Sequence, residues 1–263
     1  MKIIAINSSH RTNGNTEKLI KRIEYYIKEM AARGNIDLEY EYIALADLDL
    51  HICRGCRICF DKGEDKCPLK DDLLVLRDKL LEADGIILGS PVYVEDVNSI
   101  MKNWIDRMAF NCHRPAFFEK TAIIISTSGA GSSNHTLRTM KNALTTWGFH
   151  LAGQNKFRMG ALMKENEVVL NCSKGAEKLA GKLISSLEKG KQLRPTFYSL
   201  IVFIVQQKCW QKAERKKDTI DYEYWNNRGW IKLKCNYYMK QKANPIKCKS
   251  AELLGAIIAK FII

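Results

Sequence analysis

The chain has 263 residues, 46% hydrophobic and 27% charged, which excludes a disordered or fibrous chain and allows one large globular domain or one domain with an extension. Its formal charge of +13 is unevenly placed: from residue 190 onward, fifteen Lys and Arg stand against five Asp and Glu, so the tail carries the basic character. Nine cysteines are present, and no apolar run reaches the roughly 18 residues of a membrane helix; the most apolar stretches, 200–205 and 251–263, are too short.

In chain order, MKIIAINSSH lacks the apolar core of a signal peptide. A cytoplasmic location is expected, where clustered cysteines bind metal or catalyse more often than they form disulfides. Residues 2–6, KIIAI, read as a buried strand, followed by a polar loop and a helix with Leu19, Ile20, Ile23, Ile27 and Met30 on one face. Further strands are predicted at 38–45, 85–89 and 121–127, with a weak one at 151–159. Between them, Val97, Ile100, Met101, Trp104, Ile105 and Met108 follow the spacing of a half-buried helix. Residues 136–147 read as a helix ended by Gly148, and 175–187 as another. Strands alternating with helices imply an α/β fold, a doubly wound five-stranded parallel sheet covered on both faces. Beyond Lys189 the pattern gives way to Pro195 and a stretch dense in Tyr, Trp and Lys. The boundary is set there, with a first domain over 1–189 and a basic, aromatic C-terminal extension over 190–263.

In an open parallel sheet, ligands bind where strands lead into helices, and three such loops look specialised. NSSHRTNGNT, residues 7–16, gathers Ser9, Arg11, Asn13, Asn15 and Thr16 around a helix N-terminus, where free N–H groups and the dipole favour an anion. It reads equally as a phosphate cradle or as a polar turn in which Asn15 or Thr16 caps the helix. It is neither G-x-x-x-x-G-K-S/T nor G-x-G-x-x-G. SPVYVEDVN, residues 90–98, is predicted to break the strand at Pro91 and expose Val92 and Tyr93 to a flat aromatic ligand. TSGAGSS, residues 127–133, offers Ser128, Gly129 and Gly131, whose backbone N–H groups a ligand can approach.

These loops resemble those of the flavodoxin-like NAD(P)H-dependent FMN reductases and, within them, the iron–sulfur flavoproteins. The first is similar to G-S-P-R-x-x-G-N-T, with Ser8 for the Gly and His10 for the Pro; SPVY with the downstream KNWIDR, residues 102–107, and TSGAG are similar to the second and third. The resemblance covers 1 to about 189. It implies that FMN phosphate is held by Ser9, Arg11, Asn13, Asn15 and Thr16, and the flavin ring by Pro91, Val92 and Tyr93 on one side and Ser128, Gly129 and Gly131 on the other. It also implies NAD(P)H as a possible electron donor and a homodimer or dimer of dimers. Backbone donors suit the negative charge of a reduced flavin, so no catalytic side chain is assigned.

HICRGCRICFDKGEDKC, residues 51–67, spaces Cys53, Cys56, Cys59 and Cys67 as C-x2-C-x2-C-x7-C. A fused triple with a fourth cysteine nearby suits a 4Fe–4S cluster better than zinc, which favours two separated pairs. Cysteines without a cluster, and zinc, stay open. The iron–sulfur flavoproteins are similar in carrying a compact motif of this kind after the second strand. Asp71 and Asp72 are expected to serve the dipole of the following helix. Cys112, Cys172, Cys209, Cys235 and Cys248 are expected to pack, and His51, His113, His135 and His150 lack metal-ligand spacing.

The expected function is a flavin-dependent oxidoreductase passing electrons through FMN and an adjacent 4Fe–4S cluster to a redox partner protein or a small-molecule acceptor. A cluster-free NAD(P)H-dependent FMN or quinone reductase is the alternative. A zinc-stapled or nucleic-acid-binding module is a third reading; nucleic acid is disfavoured because no recognition signature accompanies the basic tail.

Overall fold

The structure is a computed structural model and describes residues 1–130, 134–160, 165–190, 195–213 and 217–262. Five parallel strands, β1 (Lys2–Asn7), β2 (Glu39–Ala44), β3 (Gly85–Tyr93), β5 (Thr121–Ser128) and β6 (His150–Arg158), form a sheet in the order β2-β1-β3-β5-β6. The two-residue β4 (Asp96–Val97) folds back antiparallel on the end of β3. Helices α1 (Asn15–Arg33), α2 (Ile58–Asp61), α3 (Leu73–Glu82), α4 (Ser99–Arg107), α5 (Asn134–Thr146) and α6 (Glu165–Lys189) connect and cover it.

Alternation along the buried strands builds one core on each face. Ile4, Ile6, Ile86, Leu88 and Ile124 turn toward α3, α4 and α5. Their neighbours Ile3, Ala5, Ile87, Ile123 and Ile125 turn toward α1 and α6. Such strands are apolar throughout because both faces are covered, as the runs KIIAI and TAIIIST indicate. Gly148, predicted to stop a helix, follows α5 in the left-handed region at φ 104°.

Most predicted boundaries shift by one or two residues, and two move farther. The third strand does not break at Pro91: β3 continues to Tyr93, with Pro91 opposite Thr127 of β5. Proline cannot donate to a ladder, but Pro91 lies past the last β1–β3 pair, Asn7 with Gly89, so β3 there has only β5 as a parallel neighbour. The last helix of the alternating series begins at Glu165, ten residues before the predicted start.

Helices α7 (Phe197–Lys212), α8 (Ile220–Asn227) and α9 (Pro245–Ile262) follow. They enclose a third core of Leu200, Phe203, Ile204, Trp225, Trp230, Tyr237, Tyr238 and Ala251, with Phe118 packed against it. Gln207, buried, donates through Nε2 to the carbonyls of Trp230, Lys232 and Cys235, tying down the irregular segment before α9. Among the described residues no helix is long and apolar enough to cross a membrane.

Candidate functional site: a cleft at the strand ends and a cysteine pocket beside it

At the carboxyl ends of β1, β3, β5 and β6 lies an open cleft of about 650 Å³. Ser9, Arg11, Asn15, Thr16, Pro91, Val92, Tyr93, Ser128 and Gly129 line it, so all three loops read from the sequence meet there. Gly14, Thr127, Met159 and Gly160 complete the lining. Asn13 is not part of it; its N–H bonds the Glu17 carboxylate at 2.7 Å in a left-handed turn, φ 57°. Gly131 lies outside the described residues.

The first loop is rigid for identifiable reasons. Asn7 Oδ1 accepts from the Ser9 N–H (2.9 Å), Ser9 Oγ accepts from the Arg11 N–H (3.1 Å), and the Gly14 N–H closes a turn on the Arg11 carbonyl (3.1 Å). A side chain at Gly14 would run into that carbonyl, 2.9 Å from an added Cβ. The capping alternative does not hold. Gly14 occupies the N-cap without any side-chain cap, while Asn15 donates to the Met159 carbonyl (3.0 Å) and Thr16 shares a buried 2.7 Å hydrogen bond with Thr127. The first turn of α1 therefore keeps its uncapped N–H groups beside the cleft.

The second lip is strained. Val94 and Glu95 form the β3–β4 turn with φ of 48° and 67°, a conformation that hairpins normally assign to Asn-Gly and that a β-branched residue resists. Val94 is wholly exposed and Tyr93 half exposed. Thr136 and Thr139 of α5 hold the turn from below, donating to the Glu95 carbonyl (3.2 Å) and the Asp96 carboxylate (3.1 Å). At the third loop, no atom of the described residues stands within 4 Å of where a Cβ of Gly129 would project, and Gly160 packs so tightly on the Gly129 carbonyl that no side chain fits between them. Gly160 and Met159 follow β6, and only their place at the end of the weakest predicted strand and just past it could have pointed to them.

The four cysteines Cys53, Cys56, Cys59 and Cys67 line one pocket of about 80 Å³, next to Phe60, Glu64, Arg107 and Phe110. Cys53 and Cys56 are exposed; Cys59 and Cys67 are half-buried, and none is in a disulfide. Burial pushes the Cys59 thiol up, and the neighbouring Cys67 and Cys53 add to the shift. Among the described residues no three His, Cys, Asp or Glu side chains stand placed to share a metal ion.

Helix α4 supports both sites. Its N-cap, Asn98, donates to the Ser8 carbonyl of the first loop (2.5 Å) and accepts from the Met101 N–H (3.4 Å). Farther along, Asn103 Oδ1 accepts from the Cys53 N–H (3.1 Å) while its Nδ2 donates to the His51 carbonyl (3.1 Å). The side chains of Arg107 and Asp71, 2% and 1% exposed, make a two-pronged pair at 2.5 and 2.9 Å, and Arg107 also donates to the His51 carbonyl (2.7 Å). Burial alone would raise the Asp71 carboxyl. The Arg107 guanidinium and the N–H groups of His51 and Leu73 outweigh it and hold the carboxyl below its usual range. Asp71 thus anchors the cysteine loop as well as accepting from the Leu73 N–H at the start of α3 (3.2 Å), and the carboxylate of Asp72 binds the Asp49 N–H (2.9 Å). The KNWIDR motif owes its Asn and Arg to this anchoring.

Residues 1–161 match the family model described as NADPH-dependent FMN reductase. An iron-sulfur flavoprotein of Archaeoglobus fulgidus is 29% identical over 238 residues, 88% of this chain and 100% of that protein. One of Methanocaldococcus jannaschii is 44% identical over 107 residues, 41% of this chain and 51% of that protein. One of Clostridioides difficile is 25% identical across 88% of this chain and 100% of its own length. Among solved structures, a flavone reductase superposes with a TM-score of 0.55 at 18% identity, over 74% of this chain and 68% of its own. The FMN complex of a Bacillus anthracis FMN-dependent NADH-azoreductase does so with a TM-score of 0.53 at 16% identity, over 70% and 99%. These two likenesses establish a shared fold.

Proposed function

Because the chain belongs to the NADPH-dependent FMN reductase family and is an FMN-dependent oxidoreductase, we propose that FMN occupies the cleft of the three loops and that Cys53, Cys56, Cys59 and Cys67 hold a 4Fe–4S cluster beside it. The observation that carries this reading is α4, which is hydrogen-bonded to the first cleft loop at Asn98 and to the cysteine loop at Asn103 and Arg107. Asn98 and Asn103 are roughly 8 Å apart along the helix at its usual rise, so the two sites share one rigid support.

Bound FMN would supply exchange of electron pairs with a donor such as NAD(P)H and of single electrons with the cluster. The chain's own residues bind and orient. Ser9 Oγ already accepts from the Arg11 N–H, which leaves its proton to donate to a phosphate oxygen. The uncapped first turn of α1 and the Arg11 guanidinium add N–H donors and positive charge at the same end. Pro91, Val92 and Tyr93 form one wall for the ring, and the open space beside Gly129 admits it against backbone. The residue types also suit the cluster, since the four cysteines line one pocket and soft thiolates suit iron–sulfur centres; holding one requires the thiols to draw together, because among the described residues no three yet stand placed to share a metal ion. The exposed Tyr93 and Val94 at the lip are available to a second copy, so the reading includes a homodimer or dimer of dimers, acting in the cytoplasm on a redox partner protein or a small-molecule acceptor.

Anaerobic purification with assays of flavin, iron, acid-labile sulfide and zinc tests the reading. The expected result is one FMN and about four irons per chain. FMN without iron would select the cluster-free reductase; absence of flavin under all conditions would sink both. Cys56→Ala should lose the iron and keep FMN.

A further inference from the structure

The segment between Cys59 and Cys67 is gripped by Arg114, which is itself held from outside the sheet domain. Arg114, 7% exposed, donates through Nη2 to the carbonyl of Cys59 (2.6 Å) and to Glu64 (2.9 Å). Its Nη1 donates to Asp221 of α8, itself 5% exposed. The other oxygen of Asp221 meets His113 Nδ1 at 2.6 Å, and the His113 ring lies edge-on against Phe60 on one side (4.7 Å) and Trp210 of α7 on another (5.9 Å). Trp225 Nε1 donates to the His113 carbonyl (2.7 Å) and the Tyr224 hydroxyl to that of Pro115 (2.5 Å). Glu64 is held in turn by Arg77 of α3 (3.0 Å). A buried guanidinium has to be paired. Here the pairing joins a C-terminal helix to the backbone of a cysteine that lines the pocket.

We propose that the C-terminal helices clamp the cysteine loop: Asp221 orients Arg114, and Arg114 fixes the Cys59 carbonyl and Glu64, setting the separation of Cys59 and Cys67. The clamp rests on the reading of the four cysteines as cluster ligands for its purpose, but not for its existence. Arg114 and Asp221 are positioning residues; neither touches a thiol or the strand-end cleft in any contact described above. The planar fork of Arg114 reaches Asp221 and the Cys59 carbonyl at once, which a lysine could not do.

The test is hydrogen–deuterium exchange of the flavin-loaded, iron-free chain, followed by iron uptake. Asp221→Asn keeps the shape and removes the charge. It should speed exchange across 57–67 by about tenfold or more, as expected when one partner of a buried pair is lost, while segment 7–16 and FMN affinity stay unchanged. Its reconstituted iron should then be lost to a chelator faster than that of the unmodified protein. Exchange across 57–67 unchanged within about twofold, or a rise shared equally by 7–16, would overturn the clamp. Should Asp221→Asn not fold, Arg114→Lys reads the same exchange with the buried charge retained. An unmodified chain that takes up no iron would refute the cluster reading, and the exchange comparison would still decide the clamp.

Discussion

The strand-end cleft and the cysteine pocket lean on the same helix yet are made of different material. The cleft is built from strand ends and backbone: turns closed by Asn7, Ser9 and Gly14, a Thr16–Thr127 bond between the start of α1 and the end of β5, and a glycine pressed against a carbonyl. The cysteine pocket has no strand residue among the described residues that line it. Its loop hangs on two buried arginines, Arg107 from α4 and Arg114 beyond it, each fastened to carboxylates and to a loop carbonyl. The sheet makes the first site a product of the fold as a whole, so single changes there should alter shape locally. The second depends on a few ion pairs out of water, so the loss of one should release the loop.

Asp71→Ala is the largest break. It leaves Arg107 buried without its partner and should cost about 3–5 kcal/mol of unfolding free energy, measured by denaturant titration followed through Trp fluorescence. The same pair sets an acid dependence. The folded Asp71 carboxyl lies below its ordinary value of 3.8, so its contribution is fully present above that value and is lost as pH falls through the folded value. Asp71→Asn cannot titrate there. The stability gap between it and the unmodified protein should narrow only below 3.8; a gap that narrows near neutral pH would assign the effect to another group.

Gly160→Ala is the matching break in the cleft. An added Cβ would collide with the Gly129 carbonyl, and overpacking of this kind costs about 1–3 kcal/mol. Most of it should appear as a loss of FMN affinity of about tenfold, read by flavin fluorescence quenching, with exchange in the cysteine loop unchanged. Unaltered FMN binding would show that the cleft does not need the third loop pinned. A smaller change of opposite sign comes from the second lip. Val94→Gly removes a β-branched side chain from φ 48° and should raise the stability of the flavin-free protein by about 1 kcal/mol, visible as a higher thermal midpoint.

The difference in material explains what could be read from the sequence. KIIAI, GIILG and TAIIIST are strands buried on both faces, and their periodicity alone yields the layers; the loops after them carry the cleft because topology places ligands there. Pro91 was expected to end β3 because its ring cannot donate, a rule that yields at a strand end with one paired neighbour. Gly160 bears no motif, and its contact with Gly129 joins residues 31 apart in the chain. The bonds of the cysteine loop are less legible still. Asp71 reads as a helix-dipole residue and His113 only as a histidine without metal-ligand spacing, because nothing local announces that Arg107 lies over one and Asp221 over the other. Spacing groups the thiols; only the tertiary fold shows what holds them.

The smallest predicted effect separates members of one motif. In KNWIDR, Lys102 and Asp106 form an i,i+4 pair at 2.6 Å on the exposed face of α4, whereas Arg107, one residue on, is buried against Asp71. A solvated pair exchanges water contacts for a weak attraction and loses side-chain entropy, so it contributes about 0.3–0.5 kcal/mol at most. Lys102→Ala should therefore leave stability within that margin and the exchange of 51–67 unaltered, while Arg107→Ala releases the loop. If Lys102→Ala instead weakened FMN binding or opened the cysteine loop, the lysine would be acting on one of the two sites directly, and the division between a cleft held by backbone and a pocket held by buried charge would need a third element on the outer face of α4.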